Sequence, residues 1–325
     1  MLELAGRRDI AIILRTSPPA RFQTPMTYCV AIKVNDGLVF AADTRTAAGV
    51  DDVRSYNKLH VLEVPGQRVF VILSAGNLAT TQYVLAHARR EMNDPNVAVS
   101  LRTVRHMFDA ADYLGQLSQR AQRQATQDGT IHGVNVETTL ILGGQIQGED
   151  PAIYLIYPLG NCIAASPEMP FLQIGEIKYG KPILDRFVRP GVKLEDAARC
   201  ALVSLDSTMR SNISVGPPVD IALLPRDRLS ISHSLRLDFD TPYYAALKDS
   251  WGRQLENAVR GLPKFDWEMQ QSLPLMHQQA AQSQQVQQQA ILPYGGNAWQ
   301  SQHGSEQSSS GAGGADDQPL PHGER

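Results

Sequence analysis

The stretch Thr27-Tyr28-Cys29-Val30-Ala31-Ile32-Lys33-Val34-Asn35-Asp36-Gly37-Leu38-Val39-Phe40-Ala41-Ala42-Asp43 holds two runs of β-forming residues around a tight-turn tripeptide. β-branched and aromatic side chains suit a pleated backbone, and Asn-Asp-Gly tolerates the left-handed conformations that a hairpin turn demands. The segment predicts a β-hairpin over 27–34 and 38–43, which sets its first residue beside its last. A second hairpin is expected over 56–64 and 68–74, hinged at Pro65-Gly66 and extending the same antiparallel sheet.

Working outward, apolar residues recur at helical spacing in 78–92. They do so again in a longer helix with Ser100 as N-cap and Leu101, Val104, Phe108, Ala111, Leu114 and Ala121 along one stripe. Further strands are read at 138–143, 152–157, 162–165 and 172–174, helices at 181–187 and 194–208, and closing strands at 219–224 and 229–237. In this order each sheet needs one face for helices and one for the other sheet. A four-layer αββα sandwich, an α+β fold, satisfies both. A doubly wound parallel sheet would need strict alternation of strands and helices, which the chain lacks.

The 325 residues read as one folded domain over 27–266, preceded by a segment 1–26 expected to be absent from the active protein. After it, 267–325 is rich in Gln, Ser and Gly and too poor in apolar residues to offset chain entropy, so a disordered tail is expected. A net charge of −3 offers no footprint for nucleic acid. Cys29, Cys162 and Cys200 lack metal-ligand or disulfide spacing, and the eight histidines form no paired ligand motif. No metal and no cofactor is expected. The apolar run 10–14 is too short for a signal peptide or a membrane span, so a cytoplasmic location and no membrane partner are expected.

Thr27 opens the first strand, Asp43 ends its partner, and Lys58 stands near the start of the third. The hairpin allows Thr27 and Asp43 to share one edge, with Lys58 reaching the same edge to pair with Asp43 and stabilise a deprotonating hydroxyl. A threonine hydroxyl needs a base, and no Ser-His-Asp set is visible in the sequence. The α-amine of an N-terminal residue, with a pKa of about 7.7–8.0, can serve if Thr27 is the first residue.

Thr27-Tyr28-Cys29-Val30-Ala31, Phe40-Ala41-Ala42-Asp43-Thr44-Arg45, Tyr56-Asn57-Lys58-Leu59, Ser74-Ala75-Gly76-Asn77 and Gly175-Glu176-Ile177-Lys178-Tyr179-Gly180-Lys181-Pro182 resemble the proteasome-type peptidases, and among them the bacterial Anbu, or ancestral β-subunit, family. The resemblance covers roughly 26–266. It implies an N-terminal-nucleophile hydrolase with Thr27 as nucleophile, its amine as base, Asp43 and Lys58 as charge pair, and the Gly76 N–H in an oxyanion hole. It places Ser214, Ser211 and Glu176 behind these groups, and Thr46, Tyr56 and Ser74 along a substrate pocket. Gly175-Glu176 stands where proteasome subunits carry Gly-Ser-Gly, and Ser211-Asn212-Ile213-Ser214 where they carry Asp-x-x-Ser. Glu176, Lys178 and Lys181 are read as a solvated charge cluster or an inter-subunit contact.

The resemblance also implies self-assembly into a homo-oligomeric ring or spiral, a peptide or small amide substrate, and ATP-grasp and transglutaminase-like proteins as partners. The different class to weigh is a catalytically silent scaffold or peptide-binding shell. Because Met26 rather than Gly precedes Thr27, the expectation is translation from Met26 followed by methionine removal, with a processed propeptide as the alternative.

Overall fold

A computed structural model describes residues 27–47, 53–127, 135–269 and 283. The expected N-terminal extension 1–26 and nearly all of the Gln-rich tail lie outside the described residues. The chain divides into two compact units, Met1–Arg260 and Gly261–Arg325. In the second, Phe265 and Trp267 stack with ring centroids 4.3 Å apart, and Glu268 accepts a hydrogen bond from the Phe265 N–H.

In the first unit the hairpin is β1 (Tyr28–Val34) and β2 (Gly37–Asp43), followed by a short ribbon of β3 (Arg45–Ala47) and β4 (Val53–Ser55). Next come β5 (Leu59–Val64), β6 (Arg68–Gly76), α1 (Leu78–Asn93), α2 (Met107–Gln127), β7 (Thr138–Ile146), β8 (Ala152–Ile156), β9 (Cys162–Ala164) and β10 (Phe171–Gly175). The chain continues through α3 (Lys181–Phe187), α4 (Leu194–Ser211), β11 (Val219–Pro225), β12 (His233–Leu237) and α5 (Pro242–Arg260).

Two five-stranded sheets result, ordered β10-β1-β2-β11-β12 and β5-β6-β7-β8-β9, and the paired strands run antiparallel. Strand alternation sorts their side chains into separate cores. Tyr28, Val30 and Ile32 of β1 pack with Leu184 of α3 and Leu205 of α4, whereas Cys29 and Ala31 face the other sheet. In β6, Phe70 and Ile72 meet Leu85 of α1 and Leu114 of α2, while Val69, Val71 and Leu73 join the core between the sheets. Both faces of the central strands are apolar because both are covered, which is the αββα arrangement.

Several sequence expectations are corrected. The second hairpin does not extend the first sheet, because the outer edge of β2 is already paired with β11, Asp43 lying opposite Val219. It begins the second sheet instead, and the β3–β4 ribbon carries the chain across. The strand expected at 172–174 returns to the first sheet beside β1. Ser100 caps an isolated turn, its carbonyl accepting from the Thr103 and Val104 N–H groups, and the helix starts later at Met107. There the Glu149 carboxylate, from the turn after β7, accepts the Met107 N–H at 3.2 Å and takes the capping role. Phe108 is exposed, its ring against the edge of Tyr154. Leu229 sits at φ 53° just after the turn at 226–227, outside extended backbone, and the last strand begins at His233. The β3–β4 ribbon and α5 were not anticipated.

Phe40 is fully buried between the sheets, and its ring lies where a Gly143 side chain would have to go, 2.3 Å from an added Cβ. Phe40→Ala is expected to lower the unfolding free energy by about 3–5 kcal/mol, read as a lower denaturant midpoint.

Candidate active site

β2 ends on Asp43, which has no solvent exposure and would be costly as an unpaired charge. Its Oδ1 accepts from Lys58 Nζ at 2.8 Å and from the Tyr28 N–H at 3.0 Å, and Oδ2 accepts from the Gly216 N–H at 3.2 Å. Burial pushes the Asp43 carboxyl pKa up, while the Lys58 ammonium and the two N–H groups work against that shift by favouring the charged form. Lys58, also buried, donates to the Arg45 carbonyl at 2.5 Å, so its head is fixed from two sides.

Thr27 precedes the Tyr28 amide that Asp43 holds, and is itself 8% exposed. Its carbonyl accepts from the Glu176 N–H at 2.7 Å. Gly175 makes that approach possible. An added Cβ would lie 1.9 Å from the Thr27 oxygen, and its φ of 84° favours glycine independently. Beneath, the Cys29 thiol points at the Ser74 carbonyl, 3.7 Å away, and the Ser74 N–H donates to the Lys58 carbonyl at 3.2 Å. These contacts bring the start of β1, the end of β2, the approach to β5 and the end of β6 to one end of the sandwich.

Gly76 is the last residue of β6, at φ 107°, with an added Cβ only 2.5 Å from the Glu137 carbonyl. Asn77 follows as N-cap of α1, its side chain accepting the Thr80 N–H at 3.0 Å. The residue thus has to be glycine for local reasons alone, and it stands at the same end as Ser74 and Lys58. Ser74 is buried, Thr46 and Tyr56 are half-buried, and the Tyr56 N–H bonds the Thr44 carbonyl where the ribbon leaves the sheet.

Glu176 departs from the solvated reading. It is only 6% exposed, and its Oε2 accepts from Asn212 Nδ2 at 3.1 Å. Lys178 is exposed, and Lys181 pairs with Asp185 on its own helix. Ser214 is half-buried with its N–H on Asn212 Oδ1 at 2.9 Å, and Ser211, the end of α4, is exposed. Sequence reasoning missed Asn212, Arg45 and Gly216. The Arg45 guanidinium donates to the Ile213 carbonyl at 2.6 Å and occupies the space beside Gly216, 2.4 Å from an added Cβ. Gly216-Pro217-Pro218 was the available signal, a backbone that can approach closely and then stops.

Beside Lys58, Asn57, Leu59 and His60 line a cleft of about 420 Å³ together with Arg89, Asp220 and Arg236. Burial, and then the Arg89 charge, lower the His60 pKa to about 4. The larger cleft against Arg120 and Arg123 is lined by α2 residues and none of the groups above.

Lys58→Ala is expected to cost about 3–5 kcal/mol of stability, because it leaves a buried carboxylate without its cation. For His60 the folded state binds its proton less readily than the unfolded chain, so stability is retained above pH 6.5 and falls as pH drops from there towards 4. A His60→Gln variant is expected to show a flatter dependence of thermal midpoint on pH across that window.

Residues 27–224 match the family described as proteasome subunit. No curated protein matches the chain in sequence. Among solved structures it is similar to Anbu, the ancestral β-subunit, from Yersinia bercovieri, at 42% identity and a TM-score of 0.69 over 74% of this chain and 100% of that one. It is similar to Anbu from Hyphomicrobium sp. strain MC1 at 43% identity and a TM-score of 0.67, over 74% and 100% of the two chains. The Anbu complex of Pseudomonas aeruginosa, solved as a helical assembly, matches at 41% identity and a TM-score of 0.70 over 74% and 98%. Fold, family match and these identities agree, and the chain belongs to the proteasome subunit family, in its Anbu branch.

Proposed function

We propose that the protein is a threonine-type amide hydrolase whose nucleophile is the Thr27 hydroxyl and whose general base is the α-amine of the same residue, exposed once Thr27 is first in the chain. The observation that carries this reading is the buried Asp43–Lys58 pair, tied by Asp43 to the amide directly after Thr27. A fixed ammonium at the start of β1 favours a developing negative charge on a hydroxyl there.

In the first step the amine takes the hydroxyl proton as the oxygen adds to the amide carbonyl, and the Gly76 N–H stabilises the resulting oxyanion. The protonated amine then gives its proton to the departing amine as the carbon–nitrogen bond breaks, which leaves an ester on Thr27. Water, deprotonated by the same amine, hydrolyses that ester and regenerates the hydroxyl. Base and nucleophile on one residue are already in proximity, which removes part of the entropic barrier. Thr46, Tyr56 and Ser74 are assigned to the substrate side of this site. Self-association follows the helical assembly of the similar Pseudomonas complex.

Protein beginning at Thr27 is expected to cleave members of a peptide and isopeptide panel and to be labelled by a threonine-directed epoxyketone. Thr27→Ala is expected to abolish labelling and reduce turnover at least about a thousand-fold. Absence of both turnover and labelling in the parent protein would establish the scaffold reading instead.

A further inference from the structure

The hydrogen bonds around Thr27 close into a ring. Asp43 holds the Tyr28 N–H and the Gly216 N–H, Ser214 two residues earlier holds Asn212, Asn212 holds the Glu176 carboxylate, and the Glu176 N–H returns to the Thr27 carbonyl. Two carboxylates lie on this ring, and they are treated differently. Asp43 has an ammonium partner. Among the described residues Glu176 is met only by neutral donors, the Asn212 amide at 3.1 Å and the Lys178 N–H at 3.4 Å, although it is 6% exposed.

A carboxylate that buried calls for a positive charge close by. The strand register shows where one would arise. Tyr28 pairs with Gly175, so Thr27 stands opposite Glu176, and opposed residues of antiparallel strands lie about 5 Å apart. Removal of the residues before Thr27 creates an ammonium at that point. We propose that Glu176, held by Asn212, receives the α-amino group of Thr27, orients it towards the hydroxyl and sets the pH at which it works as a base.

This rests on the reading of Thr27 as an N-terminal nucleophile. The other charged groups at this end of β1 are Asp43 of β2, bonded to the Tyr28 N–H and paired with Lys58, and Arg45 of β3, which donates to the Ile213 carbonyl. Among the described residues no cation meets Glu176. It is a positioning residue, since the proton moves between amine and hydroxyl and does not pass through its carboxylate. A nearby carboxylate favours the protonated amine, so it raises the pH below which the base is blocked.

The test is the pH dependence of epoxyketone labelling in protein beginning at Thr27, compared with Glu176→Gln, Glu176→Asp and Asn212→Ala, each checked for parental thermal unfolding behaviour. Glu176→Gln is expected to move the acidic limb of the labelling rate to lower pH by about one unit and to lower the plateau rate. Glu176→Asp is expected to keep the limb near its parental position, and Asn212→Ala to move it in the same direction by less. A parent that labels normally beside a Glu176→Gln limb that stays put or moves upward overturns the proposal and leaves the nucleophile reading standing. A parent that does not label at any pH overturns that reading and this proposal with it.

Discussion

Everything at the functional end of the molecule hangs on one buried carboxylate. Asp43 joins the Tyr28 amide of the preceding strand β1, an ammonium from the crossing segment and a backbone N–H from the loop after α4. Those three donors come from parts of the chain far apart in sequence. A single neutral side chain at position 43 could not satisfy them all, and an ammonium facing such a residue would be stranded inside the sandwich. Position 43 thus couples folding to the geometry of the site, with the cost of burying a charge offset by the bonds that fix it.

The sandwich supplies what this interaction requires. The core between the sheets takes small residues from β1 and β2 and larger ones from both sheets, Phe40, Leu73 and Ile141 among them, and it ends where Cys29 meets Ser74. The outer cores hold β1 from behind. Tyr28 bonds Ser204 of α4 at 2.6 Å and Gln173 of β10 at 2.5 Å, with Gly180 leaving room for its hydroxyl. Burial raises the pKa of that phenol, so it stays a neutral tether. The start of β1 is consequently gripped at the Tyr28 side chain, the Tyr28 amide and the Thr27 carbonyl.

Much of this was legible in the sequence, because hairpins and amphipathic helices are written locally. The 27–43 hairpin, the helix at 181–187 and the order of elements follow from turn residues and periodicity, and the Asp43–Lys58 pair follows from Lys58 standing near the start of the third strand, within reach of the hairpin's edge. What sequence hid was non-local. The assignment of β5 and β6 to a second sheet depends on β11, which arrives much later and takes the edge of β2. The true N-terminus of α2 depends on Glu149 from another hairpin, so Ser100 was a plausible but wrong cap. The resemblance places Glu176 behind the candidate groups, yet its residue type and neighbours alone read as one of three solvated charges or an inter-subunit contact, because its partner, Asn212, lies across a helix pair.

Cys29, two positions from the proposed nucleophile, carries a practical consequence for any chemical study of this site. A thiol and a hydroxyl so near in sequence fall within one proteolytic fragment, and fragment mass alone does not say which of them holds an electrophile. Here the fold separates them. Cys29 has no solvent exposure, and burial pushes its thiol pKa up so that the reactive thiolate is withheld. A mass shift on that fragment in the folded state therefore reports on Thr27, and the same reagent applied to unfolded chain, where the cysteine is free to ionise, supplies the internal control.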